Sequence, residues 1–266
     1  QGRLEGRLDG RPERPEGDGG HRRGDDEREH PRRDGGVTAV GNGRLARGLL
    51  GGDDPASPVG LIGTVTVHDG LGVHDARLTT PDPFELSPLL ARMVDHGCRA
   101  AVMEASSHGL DQGRLSGVRI AAAVFTNLTQ DHLDYHGTME AYAAAKRRLF
   151  ELLHPEGTAI VNVDDPRGAD MIAAVRGRVV RVSAHDPSAE VLVRTLASDV
   201  DGTRLRLRGP WGEDEILVPL VGAYNAMNAA QAAAAAWALG RDRDAIVTGL
   251  ARATAPPGRL EPVRVD

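Results

Sequence analysis

Three short, almost wholly apolar runs, Arg99–Met103, Ile120–Phe125 and Thr158–Val163, constrain this chain more than anything else in it. Each is the length of a strand, and none alternates apolar with polar residues. Such runs suit strands covered on both faces. Between them lie segments of helical period, Asp82–His96 and the stretch ending near Phe150. Apolar strands alternating with helices predict an α/β fold with a mostly parallel sheet flanked by helices. Gly60–Val67 reads as a further strand, and Val37–Val40 as a short one. The last third differs. Val179–Val182, Val191–Leu196, Thr203–Leu207 and Glu215–Leu220 are short alternating runs between Gly, Asp and Pro turns, predicting a small antiparallel β layer. Two helices, Asn225–Leu239 and Arg243–Ala251, follow.

Aromatic residues are only 3% of the chain, so the core must be built from Ala, Val, Leu and Ile. The net charge of −6, with mixed signs, argues against a nucleic-acid partner. A single cysteine, Cys98, excludes an intramolecular disulfide and points to a reducing compartment. No run approaches a membrane span and no apolar leader opens the chain, so the expectation is a cytoplasmic protein without membrane insertion. A monomer is expected. Residues 1–36 hold Gly, Arg, Asp, Glu and Pro with only Leu4 and Leu8 as aliphatics, a composition that cannot offset its ordering entropy.

The chemistry concentrates in Thr126–Phe150, where Asn127, Asp131, His132, Asp134 and His136 precede a helix carrying Lys146. Of the 32 basic residues, Lys146 is the one lysine. Retaining one lysine in an arginine-rich chain suggests a need for a primary amine, which can be tuned or form an adduct as guanidinium cannot. At helical spacing Met139, Tyr142, Leu149, Phe150 and Leu153 share a face, with Lys146 in its middle. An amine there must be neutral, paired or modified, unless its stem packs and its head reaches the rim.

Ligands of open parallel sheets sit beyond the carboxyl ends of the strands. Glu104 and the Asn127–His136 cluster both fall at such ends. A carboxylate, an imidazole and a lysine meeting there would suit magnesium shared with substrate phosphates, and a lysine carbamate would add an oxygen anion. Taken singly, each has a plainer role: a strand-end carboxylate, a hydrogen-bonded loop histidine, a turn or cap hydroxyl.

In combination the motifs are specific. Thr79-Thr80-Pro81, Met103–His108, Thr126–Lys146, Asn162–Pro166, Gly222–Asn228 and Pro257–Glu261 resemble, in order and spacing, the central ATP-binding domain of the Mur ligases. The resemblance covers residues 59–266 and is nearest the MurE type. Those enzymes add a diamino acid, diaminopimelate or lysine, to UDP-MurNAc-L-Ala-D-Glu through an acyl phosphate, using ATP and Mg2+. It implies a P-loop-type sheet, Glu104 and His132 as metal ligands, and Lys146 as a carbamate supporting a second metal ion. His132 and Lys146 would thus be catalytic. Thr79, Thr80, Ser106, Gln112 and Arg114 would grip the UDP-sugar dipeptide. Asn127, Asn228 and Arg259 would contact the nucleotide.

One departure stands out. The family's phosphate-gripping loop, G-T-x-G-K-[ST]-[ST], has no counterpart here. Gly41-Asn42-Gly43-Arg44 is nearest, but Leu45 follows where a hydroxyl is needed. Residues 1–58 are therefore expected to be a disordered or aberrant segment of a MurE-like fragment, with the flanking UDP-binding and C-terminal domains missing and activity impaired. The alternatives are a non-catalytic UDP-sugar-peptide binder, or another member of the superfamily such as a folylpolyglutamate or cyanophycin synthetase.

Overall fold

The computed structural model describes residues 37–39, 43–52, 54–222 and 224–254. The first half contains β1 (Val37–Ala39), α1 (Gly43–Leu49), β2 (Val59–Ile62), β3 (Thr66–His68), β4 (Val73–Asp75), α2 (Pro83–Asp95), β5 (Ala100–Met103), α3 (Ser107–Asp111) and β6 (Ile120–Phe125). Then come α4 (Leu133–His136), α5 (Met139–Glu151), β7 (Leu153–Asn162), α6 (Gly168–Ala173) and β8 (Arg178–Ser183). A meander of β9 (Val191–Asp199), β10 (Gly202–Gly209) and β11 (Gly212–Val218) leads to α7 (Tyr224–Ala238) and α8 (Arg243–Ala251).

All these strands join one sheet in the order β11-β10-β9-β8-β7-β6-β1-β5-β2-β3-β4. From β8 to β2 every pairing is parallel. The expected antiparallel layer is present as β9–β11. β8, expected within it, instead pairs parallel with β7 and β9, because α6 carries the chain back across the sheet before it. Gly60–Val67 is not one strand. The chain turns between Ile62 and Thr66, so β2 and β3 pair antiparallel. Pro155–Gly157 lies at an irregularity within β7: two steps along β6, Ile120 to Ala122, oppose five along β7, Leu153 to Thr158.

The folded core reaches back past residue 59. β1 is an interior strand, between β5 and β6, and α1 is buried through Leu45, Ala46 and Leu49. Within the segment 1–58, the structure thus forms β1 and α1; residues 1–36 lie outside the described residues.

Two cores line the two faces of the sheet. On one, α1, α7 and α8 pack against Val59, Leu61, Val180 and Val193. The α7 alanines 229, 230, 232, 233 and 234 are completely buried, because a lone methyl lets the helix approach closely. On the other face, Leu86, Leu89 and Met93 of α2 and Tyr142, Leu149 and Phe150 of α5 cover Ile62, Met103, Phe125 and Val161. α2 matches its expected span. Asp82 caps it by accepting from Phe84 and Glu85 amides, and Pro83 opens it. Phe84, in its first turn, is 90% exposed.

Candidate active site

The strand order brings the functional segments together. β5 ends at Met103 and β6 at Phe125, with β1 between them, so Glu104 and Thr126 flank the carboxyl end of β1. Residues 40–42, which include Gly41 and Asn42 of the sequence's nearest approach to a phosphate loop, lie outside the described residues. A cavity of about 690 Å³ opens on the α2/α3/α5 face. Glu104, His132 and Lys146 line it, together with Thr79, Thr80, Ser106 and Arg114.

The first wall is a hydroxyl-rich lattice. Thr80 Oγ1 donates to the Glu104 carbonyl (2.9 Å) and accepts from the Ser106 amide (2.9 Å), so this buried hydroxyl is committed to shaping the turn after β5. Ser106 caps α3 by accepting from Gly109 N. Arg114 donates to the Thr80 carbonyl (2.8 Å) and doubly to Gln112 Oε1. Glu104 Oε2 accepts from the amide and hydroxyl of Thr64, 3.2 and 2.5 Å away, leaving Oε1 without a hydrogen bond among the described residues. Thr79 donates to the same Thr64 hydroxyl.

The second wall is a cluster of rings. His132 stands edge-on to His108 (5.1 Å between centroids) and to Tyr142 (5.8 Å). His136 stacks on Tyr142 and meets Ser107 Oγ at 3.0 Å. Burial, then the neighbouring His108, pushes the His136 pKa down. His132 is the one non-glycine with positive φ (55°) among the described residues. Left-handed backbone costs such a residue about 1 kcal/mol or more and is retained where surroundings enforce it. Here the Asp131 carboxylate accepts from the His132 amide at 2.8 Å.

α5 holds Lys146 as the helical spacing predicts, half-buried, its amine 5.2 Å from the Tyr142 ring centre. The amine donates to the Asn127 carbonyl at 3.3 Å and has no carboxylate within 4.0 Å among the described residues. Burial pushes its pKa below the usual lysine range, with Asp165 and Asp131 opposing.

Some expected residues lie elsewhere. Asn127 offers its backbone to Lys146 while its side chain is exposed. Gln112 lies outside the cavity lining, tied to Arg114 and the Tyr135 hydroxyl. Asn228, in the first half of α7, donates to Asn225 and does not line the cavity. Arg259 lies outside the described residues.

Residue-by-residue reading missed a supporting layer. Gln231 of α7 donates to Phe125 O, Asn162 to Thr126 O, and Asp165 accepts from Leu128 N, fixing the strand end that carries Asn127. Thr64 and His108 were also missed. His108 stood inside a quoted motif, but nothing in its spacing announced that it would meet His132 and His136.

A carboxylate, an imidazole and a desolvated amine thus line one cavity beyond the carboxyl ends of a parallel sheet, where open α/β folds take their ligands. The chain belongs to the Mur ligase family: the Mur ligase middle domain matches residues 48–236. It is 42% identical over 207 residues to the UDP-N-acetylmuramoyl-L-alanyl-D-glutamate–2,6-diaminopimelate ligase of Gloeobacter violaceus, covering 78% of this chain and 42% of that one. Against the enzyme of the same name from Chlorobaculum tepidum the figures are 42% over 227 residues, 82% and 44%. A solved structure of a ligase of that name superposes with a TM-score of 0.75 at 33% identity, over 89% of this chain and 49% of the other. The chain thus spans less than half the length of these relatives. The family match begins at residue 48, after the segment where the phosphate loop departs from pattern.

Proposed function

We propose that this chain supplies the central domain of an ATP-dependent, amide-bond-forming ligase that adds a diamino acid to UDP-MurNAc-L-Ala-D-Glu. The observation that carries the reading is the convergence of Glu104, His132 and Lys146 on one cavity with Thr79, Ser106 and Arg114. No group of three His, Cys, Asp or Glu side chains that could hold a metal ion occurs among the described residues. The donors present, a free Glu104 oxygen and the His132 ring, fit magnesium, which takes few protein ligands and completes its shell with phosphates and water. Such an ion would neutralise charge on the transferring phosphoryl group.

The rest falls to this chain's side chains. Thr64 aims the Glu104 carboxylate, and Asp131 holds the backbone of His132 in place. The hydroxyl of Thr79 and the guanidinium of Arg114 suit a sugar–peptide bearing a carboxylate. Lys146 is proposed as the carbamate. A lowered pKa enriches the neutral amine, whose lone pair attacks carbon dioxide as one proton leaves to solvent, giving N-carboxylate. Its oxygens would then face the same cavity. The diamino acid, with cytoplasmic location and a monomeric state, completes this reading; no helix among the described residues is long and apolar enough to cross a membrane.

One observation favours a second reading, a substrate binder without turnover. Where the family's loop has lysine and a hydroxyl residue, Arg44 donates to Thr66 Oγ1 at 3.1 Å and Leu45 is buried. Calorimetry separates the two. A ligase binds both ATP–Mg2+ and the UDP-linked dipeptide, and forms ADP with the diamino acid present; dipeptide binding without ATP binding sinks the enzymatic reading.

A further inference from the structure

His132 stands on a stretch that apolar packing does not hold. None of residues 129–141 is buried. Within it α4 is barely one turn long and lies between two residues of positive φ, His132 (55°) and Gly137 (73°). A segment without buried apolar side chains takes its position from polar and ring contacts and opens easily. Here those contacts run to α3. The His132 and Tyr135 rings meet the His108 ring at 5.1 and 4.0 Å, and His136 meets Ser107 Oγ.

α3 also carries the residues set against the sugar–peptide. Ser106 caps its start, Gln112 ends it, and Arg114 follows. The Tyr135 hydroxyl joins the two regions. It accepts from Gln112 Nε2 at 3.2 Å and donates to Asp111 Oδ2 at 3.0 Å. Gln112 Oε1 in turn accepts from Arg114 Nε and a terminal guanidinium nitrogen. Asp111 reaches further. Its carbonyl accepts from Arg148 at 2.7 Å, and its carboxylate lies 3.2 Å from the same guanidinium. Arg148 is on α5, two residues beyond Lys146. A chain of polar contacts, Arg114–Gln112–Tyr135–Asp111–Arg148, therefore links the cavity wall to the stretch holding His132 and the helix holding Lys146. Arg114 lines the cavity while Gln112 and Tyr135 do not, so these two act through their neighbours.

We propose that Tyr135 is a positioning residue whose hydroxyl couples the two halves of the cavity, so that a carboxylate-bearing sugar–peptide at Arg114 and a magnesium nucleotide at His132 strengthen each other's binding. The proposal rests on the ligase reading and adds communication between its two ligands. A carboxylate at Arg114 competes for the N–H groups that now serve Gln112 Oε1, because guanidinium binds a charged acceptor more strongly than an amide. Gln112 is the group that donates to the Tyr135 hydroxyl, so the change is passed to α4. Whichever ligand arrives first fixes the unburied stretch and spares the second that ordering cost, which is positive coupling. By linkage the gain is the same in either order of binding.

The test is titration calorimetry on the full chain with UDP-MurNAc-L-Ala-D-Glu and with the non-hydrolysable nucleotide AMP-PNP–Mg2+, each alone and with the other saturating. Wild type should bind each about tenfold tighter when the other is present, and in Tyr135→Phe, which keeps the ring and removes the hydroxyl, that gain should fall to about twofold or less. Each ligand alone should bind the variant as it binds wild type. Asp111→Asn, which weakens the acceptor of the same hydroxyl, should lower the gain too. Coupling that survives both substitutions, or that is absent from a wild type binding both ligands, overturns the proposal alone. Variants that weaken each ligand singly and keep the gain reveal a merely structural role, and overturn it as well. A wild type that fails to bind both ligands overturns the ligase reading, and the proposal with it.

Discussion

The two faces of this sheet solve different problems with the same backbone. Under α7, the α1/α7/α8 face is sealed by methyl groups: alanines of the helix meet valines and leucines of the strands. The α2/α3/α5 face carries the aromatic residues Phe125, Tyr142 and Phe150, and beside them a polar cavity walled by threonines, histidines and one lysine. A helix of alanines can lie so close that little space remains. A face built from larger, less regular side chains leaves a hollow, and the hollow is where chemistry collects. Even the second face's partners are arranged for placement more than adhesion, since Thr80 and Asp131 spend their hydrogen bonds on backbone amides around Glu104 and His132.

That contrast can be broken at several points. The largest effect is expected for Lys146→Arg, which keeps charge but removes the amine: ligation should fall by about 10²–10³-fold, as when one preorganised electrostatic group is lost. Melting temperature should barely move, and carbon-13 bicarbonate should label the wild type alone. Equal turnover in the variant would remove Lys146 from the chemistry. On the sealed face, Ala233→Leu should lower stability by about 1–3 kcal/mol in urea unfolding, because overpacking forces strand and helix apart. A neutral result would show that the alanine layer is looser than its burial implies.

Thr80→Val should cost about 1–3 kcal/mol by stranding the Ser106 amide and Glu104 carbonyl, and should raise the KM for the UDP-linked dipeptide more than it lowers stability. A smaller effect concerns Asp69, near the edge of the sheet. Burial pushes its pKa up, but amides of Gly72 and Leu71 and the His74 ring outweigh this and hold it at about 2, against 3.8 when free. A depressed carboxylate stabilises the fold above its unfolded pKa, and that stability is lost as pH falls from about 4 toward 2. Asp69→Asn should flatten the acid limb of the unfolding curve; an unchanged limb would mean other carboxylates govern it. Smallest of all, Phe84→Ser should change stability by under about 0.5 kcal/mol, since the ring is already in solvent.

Much of the frame was legible in the residues. α2, β6 and α8 fall where period and apolar run placed them, and Asp82 and Asp242 cap the two helices through local bonds that no tertiary contact needs to rewrite. The convergence of Glu104 with the Asn127–His136 segment was also legible, because a parallel sheet sends every strand end the same way. What escaped were features without a local cause: the hairpin hidden in Gly60–Val67, the parallel pairing of β8, and the cross-connections of Gln231 and His108.

By itself the sequence determined the alternation of apolar strands and helices, the register of α5 that turns Lys146 inward, and the family. Those follow from side-chain volume and helical period, which act within a few residues. Tertiary structure alone decided that β1 would sit between β5 and β6, that Gln231 of α7 would reach the end of β6, and that Thr80 would be consumed in bracing a turn. Such pairings join residues tens to hundreds of positions apart, and only the packing of the whole sheet selects them.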